Sequence, residues 1–176
     1  MRKILITGGA GNIGSALANK LLEDPDTAVT VLDNLSTGDL SKVQTDHQNL
    51  SFIEGDANDF ETVKRIMMNG LYDYVFHYAA VVGVKRTQDN PLSVLRDIDG
   101  IKYLLQFSKE TNVKRFFFSS SSEVYGEPVT IPQNEDTTPL NSRVPYAVVK
   151  NVGESFCRSY HHEYGLNFTV FRFFNT

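Results

Sequence analysis

The sequence predicts an α/β fold in which a doubly wound parallel sheet carries helices on both faces. Short runs of β-branched and aromatic residues alternate with longer helical patterns, and this alternation is typical of βαβ units. A glycine-rich turn joins the first apolar run to the first helical pattern, and serines follow a later apolar run directly. Both features are expected at the carboxyl ends of strands, where open α/β sheets bind ligands.

The predicted elements alternate along most of the chain. The strands are predicted at residues 2–7, 28–32, 50–54, 73–77, 114–119 and 167–173, and the helices at 12–23, 59–69, 91–110 and 143–164. Pro91 is expected to begin the third helix, and Pro145 falls in the first turn of the fourth, where a missing N–H is tolerated. The proline-containing stretch 127–141 is predicted to be a long loop, and loops of that length are usually functional.

Composition excludes several classes of protein. The 176 residues fit one domain with a real core, and the net charge of −4 without a Lys/Arg run gives no footprint for nucleic acid. The single cysteine, Cys157, excludes an internal disulfide framework and suits a reducing cytoplasm. No apolar run approaches membrane-spanning length, and no metal site is predicted. We therefore expect a cytoplasmic protein.

The first strand runs directly into a turn with glycines at positions 8, 11 and 14. Gly8 permits a tight turn, Gly11 permits a close approach of a pyrophosphate, and Gly14 permits close packing of helix on strand, while the helix N-terminus attracts phosphate. Asp33 ends the second strand, where a carboxylate accepts hydrogen bonds from a ribose diol. Asp33 repels a 2′-phosphate and Asn34 supplies no cation, so the pattern predicts NAD rather than NADP.

Two further carboxylates follow the third strand. Asp56 and Asp59 lie where the edge of an adenine would be reached. Asp59 has an equally good alternative role, because it immediately precedes a predicted helix and can cap its N-terminus.

Tyr146 and Lys150 are four residues apart in the last predicted helix, so the phenol and the ammonium share one face. A positive charge beside the phenol is expected to lower its pKa and to let it take a proton from an alcohol. The same spacing also arises by chance. The run from Ser119 to Ser122 ends the fifth strand, where a serine can bind a substrate hydroxyl or simply form a polar turn. Glu123 can act there as an acid or base, or it can be merely solvated.

These motifs in this order resemble the extended short-chain dehydrogenase/reductase family, in particular its nucleotide-sugar epimerase/dehydratase branch. The residues that carry the resemblance are the Gly8/Gly11/Gly14 turn, Asp33 to Gly38, His77 to Ala80, Ser119 to Gly126, Tyr146 with Lys150, and Arg172 to Asn175. The resemblance implies a Rossmann-type domain that holds NAD tightly and oxidises a nucleotide sugar transiently at C4. It implies that Tyr146 is the base, that Lys150 activates it, and that Ser121 is the catalytic serine.

Residue patterns and resemblance together assign the candidate site. The predicted cofactor-binding residues are Gly8, Gly11, Asn12, Ile13, Gly14, Asp33, Asn34, Ser36, Thr37, Gly38, Asp56, Ala57, Tyr78, Ala79, Ala80, Tyr146 and Lys150. The predicted substrate-binding residues are Lys85, Ser121, Ser122 and Asn175. The predicted catalytic residues are Ser121, Glu123, Tyr146 and Lys150. We expect residues 1–176 to form one NAD-binding domain that ends after the sixth strand, without the C-terminal substrate domain of the resembling family.

Some positions distinguish the epimerases, dehydratases and decarboxylases of the resembling family. Glu123 resembles the glutamate of 4,6-dehydratases and of UDP-glucuronate decarboxylases, whereas Ser122 replaces the acid that dehydratases carry. The segment from Ala79 to Lys85 resembles UDP-sugar 4-epimerases, and Asp97 stands where members usually have Asn. The leading interpretation is an NAD-dependent epimerase, an isomerase, acting on a UDP-sugar. The alternatives are a dehydratase or decarboxylase that uses Glu123, and a noncatalytic NAD-binding module.

The resemblance also implies a homodimer. In the resembling family, the helices predicted at 91–110 and 143–164 pair across the dimer interface. Phe107, Phe156 and Tyr160 can supply apolar contacts there, or they can be buried against the sheet.

Overall fold

The computed structural model describes residues 1–127 and 131–174. A parallel sheet of six strands, in the order β3-β2-β1-β4-β5-β6, forms its centre. The strands are β1 Arg2–Thr7, β2 Thr27–Asp33, β3 Leu50–Glu54, β4 Tyr74–His77, β5 Arg115–Ser121 and β6 Phe168–Phe173. The helices are α1 Asn12–Leu22, α2 Phe60–Gly70, α3 Val84–Asp89, α4 Pro91–Leu95, α5 Asp97–Glu110 and α6 Pro145–Tyr164. Short 3₁₀ turns cover Leu40–Lys42 and Ser122–Tyr125.

The predicted fold class is confirmed, and two local predictions need correction. The helix expected at 91–110 is divided into α4 and α5 at Arg96, because Asp99 N–H bonds the Arg96 carbonyl three residues back and the regular α-helical pattern is interrupted. Helix α3 was not predicted, since its six polar-rich residues show no apolar period. It begins after Gly83, whose φ of 100° suits glycine.

Helices cover the sheet on both faces. On one face, α1 packs on β1 and β2 around an apolar cluster that includes Ile6, Val31 and Ala18. On the other face, α2, α5 and α6 pack over a second cluster. Parallel strands are normally buried from both sides, and this arrangement explains their near-continuous apolar sequences. In the part of the chain that the structure describes, no helix combines the length and apolarity needed to cross a membrane.

Successive phenylalanines of β5 point to opposite faces of the sheet. Phe116 and Phe118 are fully buried under the helices. Phe117, on the other face, is only partly buried and stacks 4.2 Å from the ring of Phe76 and 6.1 Å from that of Phe171. Phe118 lies directly under Gly153 of α6, where the addition of a Cβ would collide with its ring. The approach of α6 to the sheet therefore depends on a glycine at this point.

A buried ion pair fixes α6 beside that contact. Glu154 is fully buried, and it accepts hydrogen bonds from Arg172 Nε at 2.9 Å, Arg172 Nη2 at 2.7 Å and Ser120 Oγ at 2.6 Å. Burial opposes its ionisation, but the bonds from Arg172 and Ser120 hold the pKa of Glu154 below its usual value. Arg172 also donates to Tyr125 Oη at 2.8 Å. This network joins α6, β5, β6 and the 3₁₀ turn that follows β5.

The position of Phe118 predicts a strong asymmetry between neighbouring phenylalanines. Phe118→Ala opens a cavity under α6 and is expected to lower the free energy of unfolding by about 3–5 kcal/mol. Phe117→Ala removes a partly exposed stacked ring and is expected to cost about 1–2 kcal/mol. Urea denaturation of the two variants measures the difference, and equal losses would contradict the packing described for α6.

Candidate active site

Two cavities open at the carboxyl ends of the central strands. The larger measures about 1040 Å³ and extends from the glycine turn before α1 to α6, and the smaller measures about 220 Å³ and reaches the ends of β2 and β3. Gly8, Gly11 and Tyr78 belong to the walls of both. The glycine turn therefore lies between the two cavities, at the crossover point where doubly wound sheets bind ligands.

The glycine turn is shaped by close backbone contacts. Gly8 has a φ of 69°, and a Cβ there would lie 2.6 Å from the backbone nitrogen of Ala79. A Cβ on Gly14 would collide with the carbonyl oxygen of Gly8. Gly11 is the N-cap of α1 and provides no side-chain cap, so the first amides of the helix face the turn with the positive end of the helix dipole. This arrangement can hold a pyrophosphate.

Asp33 connects the glycine turn to the loop after β2. Its side chain is buried, with Oδ2 accepting from Ala10 N–H at 2.9 Å and Oδ1 from Leu35 N–H at 2.8 Å. A Cβ on Gly38 would lie 2.8 Å from Oδ1, so glycine is needed where that loop passes the carboxylate. A carboxylate has about four acceptor positions, so these two bonds leave capacity for a ribose diol. The two backbone contacts of Asp33 were not predicted from sequence.

The two carboxylates that follow β3, Asp56 and Asp59, have different roles. Asp56 lines the smaller cavity, and its Oδ1 accepts from Asn58 N–H at 2.8 Å. Asp59 caps α2 by accepting from Thr62 N–H at 2.7 Å. Of the two interpretations considered for Asp59, the N-cap is the correct one.

Tyr146 and Lys150 face the larger cavity from one side of α6, opposite the end of β5. Ser121 lines the same cavity, close enough to the hydroxyl of Tyr146 to lower its pKa. Lys150 is 4% exposed, donates to Ser119 Oγ at 3.3 Å, and places Nζ above the rings of Phe118 and Tyr146, 5.3 and 5.5 Å from their centroids. Glu123 lines the same cavity. The four predicted catalytic side chains thus share one cavity.

The protonation behaviour of this cluster differs from the sequence-based prediction. Burial lowers the pKa of Lys150 to about 8, against an opposing influence of Asp97, so the ammonium still predominates at neutral pH. The pKa of Tyr146 is raised, first by burial and then by the charge of Glu123, and the bond to Ser121 only partly offsets this. The pKa of Tyr146 therefore lies above its usual value rather than below it as predicted, because burial and the charge of Glu123 outweigh the bond to Ser121.

Most predicted site residues meet at the two cavities. Every predicted cofactor-binding residue lines one or both of them, as do Ser121 and Glu123. Among the described residues, Lys85 and Ser122 lie outside both walls, Lys85 on the exposed surface of α3 and Ser122 in the 3₁₀ turn. Asn175 lies outside the described residues.

Sequence reasoning missed part of the cavity walls. The unpredicted helix α3 and its flanks contribute Val82, Gly83, Thr87, Gln88 and Pro91 to the larger cavity. Val82 and Gly83 belong to the segment that resembles UDP-sugar 4-epimerases, but Thr87 and Gln88 carry no motif and follow no period, so only the three-dimensional arrangement identifies them. His77, buried behind the site, is neutral because burial lowers its pKa to about 3. Its Nδ1 lies 2.8 Å from the hydroxyl of Thr7, which also accepts from Ala79 N–H.

Residues 4–176 match the family model described as the NAD dependent epimerase/dehydratase family. The chain belongs to this family. The predicted resemblance is thereby confirmed. A putative UDP-glucose 4-epimerase of Methanocaldococcus jannaschii is 33% identical over 178 residues, which cover 98% of this chain and 55% of that protein. UDP-glucuronic acid decarboxylase 1 of Danio rerio is 35% identical over 185 residues, which cover 99% of this chain and 41% of that protein.

A solved structure of another family member contains NAD. The UDP-glucose 4-epimerase of Brucella ovis, in complex with NAD, has a TM-score of 0.88 and 34% identity, covering 99% of this chain and 52% of that one. The chain spans about half the length of the curated relatives it matches.

The residues around the two cavities of this chain fit an NAD cofactor. The glycine turn and the N-terminus of α1 offer backbone amides to a pyrophosphate, and Asp33 offers a fixed carboxylate to a ribose. Tyr78 and Ala80 line both cavities, and Ala79 lines the smaller one. A Cβ at Gly8 or Gly14 would collide with backbone atoms of the chain, so these two positions of the turn require glycine.

The buried ammonium of Lys150 is expected to reduce the stability of the folded chain. Burial lowers the pKa of Lys150 from 10.5 to about 8, so its charged form destabilises the folded state. Lys150→Met removes this charge and is expected to raise the free energy of unfolding by about 2–3 kcal/mol at pH 7. Between pH 8 and 10.5 the folded state has released this proton and the unfolded state has not, so the stability of the unmodified chain rises with pH and the advantage of the variant shrinks.

Chemical denaturation at a series of pH values measures this effect. Lys102→Met is the matched control, because Lys102 is exposed on α5, where its ammonium pairs with Asp99 and lies over the ring of Tyr103. A stability gain from Lys150→Met that does not change between pH 7 and 10 would contradict the burial of a charged ammonium at this position.

Proposed function

We propose that the chain forms the NAD-binding and proton-transfer part of a nucleotide-sugar 4-epimerase, an isomerase. The observation that carries this proposal is the meeting of Ser121, Tyr146 and Lys150 in the cavity that begins at the dinucleotide turn. Family membership and the epimerases among the relatives support it.

The proposed chemistry divides between cofactor and chain. When bound, oxidised NAD supplies a hydride acceptor and a positive charge in the larger cavity. Tyr146 takes the proton of the sugar hydroxyl as the carbon is oxidised and returns it on reduction. Ser121 donates to or accepts from the same hydroxyl and holds the phenol in place. Lys150 contributes a positive charge close to the phenolate that forms on Tyr146.

We propose a UDP-sugar as the substrate. The net charge of −4 provides no broad attraction for an anionic nucleotide, so local groups must bind it. The sequence assigns Lys85, Ser122 and Asn175 to this task, together with Ser121. Lys85 on exposed α3 stands beside the segment that forms the outer wall of the larger cavity.

A decarboxylase or dehydratase is the second candidate. Glu123 lines the larger cavity close enough to Tyr146 to raise its pKa, and a carboxylate in that position can transfer a proton to or from a 4-keto sugar. The similarity to the Danio rerio decarboxylase also supports this alternative. A noncatalytic NAD-binding module is less consistent with the site, because simple binding has little use for Ser121, Tyr146 and Lys150 together in one cavity.

Replacement of Tyr146 tests the proposed catalysis. Tyr146→Phe keeps the ring and removes the hydroxyl, so NAD affinity is expected to change less than threefold while epimerisation falls by about 10²–10⁴-fold. NAD binding is measured by calorimetry and epimerisation by chromatography of UDP-sugars.

The products distinguish the candidate functions. Interconversion of 4-epimers supports the epimerase, whereas released CO₂ or an accumulated 4-keto sugar supports the use of Glu123. Retained turnover in the Tyr146→Phe variant would contradict the assignment of Tyr146 as the base. Tyr164→Phe, at an exposed position of α6, is the control for loss of a hydroxyl elsewhere.

We propose further that the protein is a cytoplasmic homodimer. The buried Cys157 is free, as in proteins of reducing compartments. The exposed sides of α5 and α6 supply the proposed interface, with Val148 and Tyr164 as apolar surface residues and Phe156 and Tyr160 as partly buried ones. Phe107 cannot contribute as predicted, because it is buried against Phe60 of α2 within the chain.

Light scattering tests the dimer. The unmodified protein is expected to show twice the chain mass, and Val148→Glu, which places a charge on the exposed side of α6, is expected to shift it toward the monomer. A monomeric mass for the unmodified protein at all concentrations would contradict this proposal.

A further inference from the structure

We propose that Asp97 and Asn58 form a matched hydrogen-bond pair that positions the two loops of the smaller cavity for the adenosine half of the dinucleotide. The inference rests on the NAD binding proposed above. It concerns the position at which this chain has Asp where the resembling family usually has Asn.

The pair joins three separate segments. Asp97 Oδ2 accepts from Val81 N–H at 2.7 Å, in the segment that leaves β4. Asp97 Oδ1 accepts from Asn58 Nδ2 at 3.1 Å, in the loop that leaves β3. Asn58 Oδ1 in turn accepts from Gly100 N–H at 3.2 Å, one turn along α5. The side chains thus fasten both cavity loops to the start of the same helix.

The direction of each hydrogen bond is determined by the backbone. Val81 N–H and Gly100 N–H can only donate, so both atoms that face them must be acceptors. The Gly100 contact fixes the Asn58 amide with its oxygen toward α5 and its nitrogen toward Asp97. Both terminal atoms of residue 97 must therefore be acceptors, which is true of the two oxygens of a carboxylate and of only one terminal atom of an amide.

The pair is buried, and the backbone is shaped around it. Asp97 is 5% exposed and lines the smaller cavity together with Asn58. A Cβ on Gly100 would collide with Asn58 Oδ1 and would lie 2.8 Å from the carbonyl oxygen of Ala57. The loop after β3 therefore packs directly on α5. A side chain that presents a donor where an acceptor is needed has no space in which to turn away. Buried polar groups without a partner are costly, so a mismatch should displace the loop.

The same loops carry the predicted contacts to the adenosine. Asp56 and Ala57 precede Asn58 in one loop, and Ala79 and Ala80 precede Val81 in the other. Asp97 itself forms part of the wall between them. It acts on the cofactor through the position of these neighbours, so we assign it as a positioning residue.

Because donors and acceptors are fixed in this pair, exchanging the two side chains between positions 58 and 97 tests it. In Asp97→Asn, an amide nitrogen faces the Asn58 amide nitrogen, and in Asn58→Asp two carboxylates face each other. In the double variant Asn58→Asp/Asp97→Asn, Val81 N–H meets the oxygen of the amide now at position 97. The nitrogen of that amide meets one oxygen of the carboxylate now at position 58, and Gly100 N–H meets the other oxygen. The exchange restores every hydrogen bond and leaves the net charge unchanged.

The experiment measures NAD affinity by calorimetry and thermal unfolding for the 176-residue chain and the three variants. Each single variant is expected to raise the Kd for NAD about tenfold. The double variant is expected to return to within about threefold of the unmodified chain, with its Tm restored as well. Asp99→Asn, on the exposed side of the same helix, should leave both quantities unchanged.

The possible outcomes separate the pair from the proposed function. A double variant that binds NAD as poorly as the single variants, or worse, would overturn the inference. A restored Tm without restored affinity would show a purely structural pair and would overturn the positioning role. If the unmodified chain binds no NAD, the proposed function itself fails together with the positioning role, and a restored Tm would then still establish the matched pair.

Discussion

The contact between Phe118 of β5 and Gly153 of α6 is the constraint on which the rest of the site depends. Because no side chain separates the ring from the helix, α6 lies directly on the strand and brings its neighbouring residues to the strand's carboxyl end. Three consecutive serines then each meet one residue of the helix. Ser119 accepts from Lys150 and Ser120 donates to Glu154, while Ser121 contacts Tyr146. Each of the three serines thus lies opposite one residue on the same side of α6.

The two buried charges on that side of α6 are stabilised to different degrees. Glu154 has a bidentate partner in Arg172 and a serine hydroxyl, which together favour its charged form despite burial. In the described part of the chain, no carboxylate bonds directly to Lys150, whose Nζ has a serine oxygen and two aromatic faces instead. The first charge stabilises the position of the helix. The second reduces stability, as is typical of residues retained for chemistry.

Local patterns were sufficient to predict the dinucleotide turn, because the roles of Gly8, Gly11 and Gly14 depend on backbone conformation within a few residues. The same holds for the shared face of Tyr146 and Lys150. The pKa of Tyr146 could not be predicted in this way, since it depends on burial and on the charge of Glu123. The division between α4 and α5 was missed for a related reason. It lies beside Asp97, whose partners Asn58 and Val81 are distant in sequence.

Fixed carboxylates explain how the smaller cavity selects its ligand. Asp33, Asp56 and Asp97 all line it, and both oxygens of Asp33 are held by backbone amides, so that side chain cannot turn away from a ribose. A phosphate on the 2′ position would bring a further negative charge into contact with Asp33 in a partly desolvated space, where repulsion between like charges at about 4 Å reaches roughly 4 kcal/mol. Arg96 is the one cation among the described residues of this wall, against three carboxylates. The backbone that immobilises Asp33 therefore disfavours a 2′-phosphate as much as the charge of the carboxylate does.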